Sequence, residues 1–364
     1  MISCFASTKK YQPWGEFRDK PKVIDVSGIG SNQYMGPNDT ERKPREAWGG
    51  KPFSREAAMF AAKGGGSILQ GLLKSRAPGI TPRRIALIGF SAGNTFLSAV
   101  LKNSADAELL DTVIALDGMT YPKDYSGNAV GFDHWINFAK RASGMDRMQS
   151  AANPYLGPLL VVSYTDIVSA SPSRVSSTRE AARYLLDVTD KAYWPQARSV
   201  PADVLDLQSS KQLEVKARLG ASCAQVPLPL RIKGGNPPTT KEWTSPPYPN
   251  DIGYLGNSWF LGWGGTQGPD HIFQAHQCQK ILFRTFLMPR WNARSEAVAG
   301  LGVNPDGLGA VYNESRIEWE TPQAQQAGGG IVQQGALDTG VSLWKMGLVA
   351  GGAFWVGRKL IDSI

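Results

Sequence analysis

Cysteine and histidine are scarce in this chain, with three of each among 364 residues. Cys4, Cys223 and Cys278 cannot build a disulfide framework, although one bridge is open to them. No CxxC or Cys/His cluster has metal-ligand spacing, so no metal is expected, and no other cofactor. The start, MISCFASTKK, lacks a basic segment followed by a long apolar stretch, which argues against a cleaved signal peptide. Asn38-Asp39-Thr40 and Asn313-Glu314-Ser315 are accordingly read as chance matches to a glycosylation pattern. The 39 basic residues are scattered and not interleaved with aromatics, so no nucleic-acid partner is expected. Their excess over 31 acidic residues, a net charge of +8 and a pI near 9.3, favours contact with anionic surfaces such as membranes or envelope polymers.

A hydrophobic content of 42% is enough for a large core, and what is present has an alternating order. Short apolar runs at 22–26, 85–88, 112–116, 158–164 and 253–263 read as strands, and helical spacing recurs at 54–75, 94–104, 132–142, 177–188 and 269–287. The first of these helices is weakened or kinked by Gly64-Gly65-Gly66, and the fourth opens on the sequence STRE. Strands alternating with helices predict an α/β fold with a doubly wound, mostly parallel sheet, whose ligand crevice lies at the carboxyl ends of the strands. Between Lys191 and Tyr248 prolines become frequent, which predicts an insertion at 191–248 that either covers the crevice as a cap or runs over the surface.

The stretch RRIALIGFSAGNTFLSAV at 83–100 carries the chemistry. Its apolar strand ends in Gly89-Phe90-Ser91-Ala92-Gly93 and passes straight into a helix with Phe96, Leu97, Val100 and Leu101 on one face. A GxSxG turn in that setting lifts the serine hydroxyl above the sheet edge, and its glycines let backbone crowd where a Cβ would clash. Ser91 is therefore the candidate nucleophile. A serine hydroxyl needs a base within hydrogen-bond reach and a third group that orients the base. Of the histidines, His271 follows the Gly264-Gly265-Thr266-Gln267-Gly268 loop at a helix start, where the helix dipole favours a neutral ring. His276 lies on another face of that helix, and His134, beside Asp133, reads as a cap or surface residue. Two acids end strands after the nucleophile, Asp117 and Asp166, and the sequence leaves both open. Asp25 and Asp270 are weaker candidates. The N–H of Ala92 is one expected oxyanion donor, and Gly28 and Ile29, in the loop after the first strand, are the candidates for the second.

These residues resemble the α/β-hydrolase superfamily: the GxSxG elbow at Ser91, acids after later strands at Asp117 and Asp166, and the late His271, in the chain order Ser, Asp, His. The resemblance covers about residues 20–290 and is nearest to bacterial or phage esterase-like members. It implies serine-dependent ester, thioester or amide chemistry without cofactor, and the reading taken from it is a serine hydrolase that cleaves a carboxylic ester through an acyl-enzyme, on a small-molecule or polymer substrate. The loop SGIGSN at 27–32 departs from the HG or HGGG of many lipases and esterases. Two other readings stand beside it: an acyltransferase with the same triad, and a non-catalytic structural, envelope or virion interaction protein on the same fold.

The organisation expected is a hydrolase domain at 1–290, a Gly-, Gln- and Ala-rich linker at 291–340 and an apolar helical tail at 341–364. The tail, VSLWKMGLVAGGAFWVGRKLI, has an uncharged stretch too short to cross a bilayer unaided. With Lys345 snorkelling it suits an interfacial or marginal transmembrane helix, and its small residues equally suit docking on the protein's own body or in a homo-oligomer. The location expected is cytoplasmic, or membrane-, envelope- or virion-associated through this segment.

Overall fold

The computed structural model describes residues 1–5, 23–26, 51–82, 84–144, 158–169, 171–197, 202–226, 231–234, 239–242 and 248–291. The loop with Gly28 and Ile29, residues 292–340 of the linker and the whole of the tail at 341–364 lie outside them.

Seven strands form the main sheet: β1 (Ile2–Phe5), β2 (Ile24–Asp25), β3 (Ile85–Phe90), β4 (Leu110–Leu116), β5 (Leu159–Tyr164), β8 (Asp251–Leu255) and β9 (Ser258–Gly262). Their spatial order is β2-β1-β3-β4-β5-β9-β8, with every neighbouring pair parallel except the β8–β9 hairpin at one edge. A separate two-stranded ribbon pairs β6 (Arg231–Gly234) with β7 (Thr239–Glu242). The chain leaves β1 for β2 on one side and then returns to β3 on the other, so the order reverses beside the strand that carries the GxSxG turn. That reversal is where open α/β sheets form their crevice.

Strands β3, β4 and β5 are buried along their whole length, as their unbroken apolar runs demand. Alternate residues point to opposite faces and feed two cores. On one face Leu87, Val113, Ala115, Leu160 and Val162 pack against Phe60 of α1 (Lys51–Lys63), Leu69 of α2 (Ile68–Arg76), Phe96 of α3 (Asn94–Lys102), Phe138 of α5 (Asp133–Ala142) and Leu185 of α6 (Thr178–Ala197). On the other, Ala86, Ile88, Phe90, Ile114, Leu116 and Val161 meet Leu219 and Cys223 of α7 (Ala202–Ala224) and the C-terminal helical segment. That segment begins as α8 (Gly268–Phe273) and continues through π-helical turns at Gln274–Cys278 and Phe283–Leu287, separated by α9 (Gln279–Leu282). A short helix, α4 (Ser104–Glu108), joins α3 to β4. At the far end of the segment, Trp291 Nε1 donates to Asp111 Oδ2 at 2.9 Å, and Arg290 lies 3.4 Å from the same carboxylate, tying the helix to the start of β4.

Several expectations need revision. The helix expected at 54–75 is two helices: Gly65 and Gly66 take φ of +64° and +102°, and Ser67 caps the second by accepting from the Gln70 N–H. The strand expected at 253–263 is a hairpin turning at Gly256 and Asn257, with Gly256 at φ +52°. Ile2–Phe5, unassigned from sequence, is a parallel strand inside the sheet. The segment at 191–248 contains α7, whose Leu219 and Cys223, with Val226 just beyond the helix, are core residues under the sheet. Cys223 and Cys278 are free thiols, and burial pushes Cys223 up to about 12 and Cys278 well above its usual value. Among the described residues no helix is long and apolar enough to cross a membrane.

Candidate active site

The GxSxG turn is a strand-to-helix elbow. Ser91 follows the last residue of β3, sits at φ +52° and opens a single 3₁₀ turn, Ser91–Gly93, that runs into α3. A non-glycine residue in this left-handed region is strained by about 1–3 kcal/mol, and such strain persists only where the surroundings hold it. Two features hold it here. A Cβ at Gly89 would lie 2.7 Å from Leu97 Cδ1, so glycine lets α3 close on β3. Asn94, 3% exposed, donates from Nδ2 to the carbonyls of Ser91 at 3.1 Å and Leu116 at 3.2 Å, clasping the elbow to the end of β4. Ala92 is buried in the same turn, at the amino end of α3.

The end of β4 carries a second left-handed residue, Asp117, at φ +36°. Its N–H donates to Ser163 O at 2.9 Å, extending the β4–β5 ladder by one residue before the chain turns. Gly118 then passes so close to the elbow that a Cβ there would lie 2.2 Å from Ser91 O and 2.6 Å from Ser91 Cα. The Ser91 turn and the Asp117 turn therefore touch through bare backbone.

The Asp117 side chain is buried and accepts four hydrogen bonds. Thr165 N–H reaches Oδ1 at 3.0 Å, Thr178 Oγ1 reaches Oδ1 at 2.7 Å, Thr165 Oγ1 reaches Oδ2 at 2.8 Å, and His271 Nδ1 lies 2.7 Å from Oδ2. Burial alone would raise this carboxyl, but the bonds from His271, Thr178 and Thr165 outweigh it and hold Asp117 below its ordinary value of 3.8. An ionised carboxylate only accepts, so the bond to Asp117 is donated by Nδ1–H, and in the neutral ring with that tautomer Nε2 is the acceptor.

His271 is delivered by a loop that continues the β5–β9 pairing: Trp263 N–H donates to Tyr164 O and Asp166 N–H to Gly265 O. Gly264 and Gly265 lie at φ +66° and +79°, conformations that suit glycine, and Gln267 N–H is capped by Asp270 Oδ2 at 3.0 Å. The imidazole packs on Phe90, the residue before Ser91, with ring centroids 4.6 Å apart.

Of the two acids left open by the sequence, the structure brings only Asp117 to His271. Asp166 corrects the alternative: it lies one residue beyond Thr165, and Arg179 Nη1 donates to its Oδ1 at 2.9 Å. Asp270 caps its own helix. His134 lies in the first turn of α5, in the cap region expected for it, but is half-buried, and burial brings it down to about 4. Sequence reasoning missed Asn94, Gly118, Thr165 and Thr178. The Asp-Gly pair at 117–118 and the capping box STRE were the visible signals for two of them. No group of metal-ligating side chains is found among the described residues.

No protein-family model matches this chain, and no curated protein or solved structure matches it either.

Proposed function

We propose that this protein is a serine hydrolase that cleaves a carboxylic ester through an acyl-enzyme, on a fold of the α/β-hydrolase type. One observation carries the reading: the buried Asp117 carboxylate bonded to His271 Nδ1 at 2.7 Å, with the imidazole packed on the residue before a serine held at φ +52° on a strand-to-helix elbow. The order of the three along the chain agrees with that fold's triads.

In this mechanism Ser91 Oγ attacks the acyl carbon while its proton passes to His271 Nε2. Asp117 keeps the ring in the tautomer that can accept that proton and stabilises the imidazolium that forms. In this reading the Ala92 N–H, in the turn directly after the serine, is one donor to the developing oxyanion; Gly28 and Ile29, the candidates for the second, lie outside the described residues. As the tetrahedral intermediate collapses, the ester carbon–oxygen bond breaks and the alcohol leaves with the proton from His271. Water, deprotonated by the same ring, then attacks the acyl-enzyme, and its proton returns to Ser91 as the acid departs.

A fluorophosphonate probe tests the assignment. It should modify Ser91 and no other residue, and Ser91→Ala should lose both labelling and turnover of p-nitrophenyl esters. Undiminished labelling or turnover in that variant would overturn the reading.

A further inference from the structure

We infer that Thr178, together with Thr165, is a positioning residue for the Asp117–His271 pair, filling three of the carboxylate's four acceptor directions so that only one, on Oδ2, is left for His271 Nδ1. The inference rests on the triad proposed above, and it concerns how Asp117 is aimed.

A carboxylate at the end of a strand rotates about its χ2, and each orientation presents a different lone pair to the imidazole. Here both oxygens are spoken for. Thr165 bonds one oxygen with its N–H and the other with its hydroxyl, which fixes the plane of the group. Thr178 adds a 2.7 Å bond to Oδ1 from the start of α6.

Thr178 is itself fixed. It is the first residue of α6, and Ser177 and Glu180 form a reciprocal capping box around it: Ser177 N–H donates to Glu180 Oε2 at 2.7 Å and Glu180 N–H to Ser177 Oγ at 3.1 Å. Lys123, from the loop after Asp117, holds Glu180 at 3.2 Å and also donates to Pro172 O at 2.9 Å. Antiparallel bridging of Pro122 to Val175 binds the same two loops. A chain of contacts thus runs from the helix cap to the carboxylate, and the positive end of a 20-residue helix faces the anion.

The other titratable groups around the pair leave this role to the threonines. Arg179 of α6 and Asp166 after β5 bond each other, Asp270 of α8 caps Gln267, and the Cys278 thiol on the C-terminal helix is kept protonated chiefly by burial.

Thr178→Val removes the hydroxyl at nearly constant volume, and Thr178→Ser keeps it. Three quantities are compared in the full chain: kcat and KM on p-nitrophenyl acetate, the low-field proton resonance of His271 Nδ1–H, and the melting temperature. Thr178→Val should lower kcat about tenfold with KM within about twofold, and should shift or broaden the resonance; Thr178→Ser should restore both. The inference is overturned if Thr178→Val keeps kcat and the resonance of the parent, including the case where only the melting temperature falls, since that marks a helix cap and nothing more. Thr165→Val, which retains the Thr165 N–H, gives the same comparison if Thr178→Val does not fold. The resonance needs no turnover, so a parent protein that hydrolyses no ester would defeat the ester reading while leaving the positioning of Asp117 decidable.

Discussion

Gly118→Ala perturbs the contact between the two strained turns without touching a reacting group. The added methyl would begin 2.2 Å from the Ser91 carbonyl oxygen, 2.5 Å from Asn94 Nδ2 and 2.6 Å from Ser91 Cα. Real Cβ atoms do not approach below 3.0 Å, so the turns must separate by at least about 0.8 Å, and two of the three obstructing atoms are backbone that no rotamer change can move. Overpacking of this kind costs about 1–3 kcal/mol of stability, which leaves a domain of this size folded. The larger effect is geometric: displacing a catalytic group by about 1 Å costs on the order of 100-fold in rate. We therefore expect Gly118→Ala to melt several degrees lower, to keep its parallel-sheet circular dichroism, and to lose about 100-fold in kcat on p-nitrophenyl acetate with fluorophosphonate labelling slowed in proportion. Parental kcat and labelling rate in a folded Gly118→Ala protein would refute the coupling of the two turns.

Three further expectations follow from single contacts. Asp117→Asn should lower kcat by about 10³–10⁴ because the amide can stabilise the wrong tautomer of His271, whereas Asp166→Asn, which only loosens a partly buried ion pair with Arg179 away from the imidazole, should stay within about threefold; steady-state kinetics of the two purified variants decides it. Glu56, 7% exposed, has an Oε1 without a partner among the described residues, and burial pushes it up to about 7 from 4.5. Because its folded-state value is the higher one, its stabilising contribution is complete below pH 4.5 and is lost as pH rises through 7, so Glu56→Gln should match the parent near pH 4.5 and exceed it by up to about 3 kcal/mol at pH 8 in urea unfolding. Asp111→Ala takes away the carboxylate facing the buried Arg290 and Trp291, and should destabilise the protein by about 3–5 kcal/mol in the same assay, with a larger loss than Asp166→Ala.

What the sequence revealed of this site is what is written locally. Ser91 was legible because the strand run, the two glycines and the following helical face are contiguous, and His271 because a glycine loop leads straight into its helix. The choice between Asp117 and Asp166 was not legible, since both follow apolar strands that lie side by side in the sheet. It turns on long-range facts: Asp117 bends back at φ +36° with a glycine behind it, Thr165 and Thr178 converge on its oxygens from the next strand and helix, and Arg179 claims Asp166. Strand β1 was hidden for a similar reason. Four residues, ISCF, show no periodicity of their own, and they become a strand because β2 and β3 offer parallel ladders on both sides.

Asn94 and Gly118 show why such support goes unseen even when each residue is ordinary. Asn94 reads as an unremarkable first-turn residue of α3, yet its amide bridges carbonyls 25 positions apart in sequence, those of Ser91 and Leu116. Gly118 reads as the second half of a loop dipeptide, yet its missing Cβ is the space into which Ser91 O fits. Both act across the β3–β4 pair, whose register places Phe90 opposite Leu116 and so brings the residues that follow, Ser91 and Asp117, out of the sheet side by side. Parallel pairing without offset at that end is therefore the structural condition for the site: shifting β4 by one residue would carry Asp117 about 3.3 Å along the strand and turn its side chain to the opposite face, away from His271.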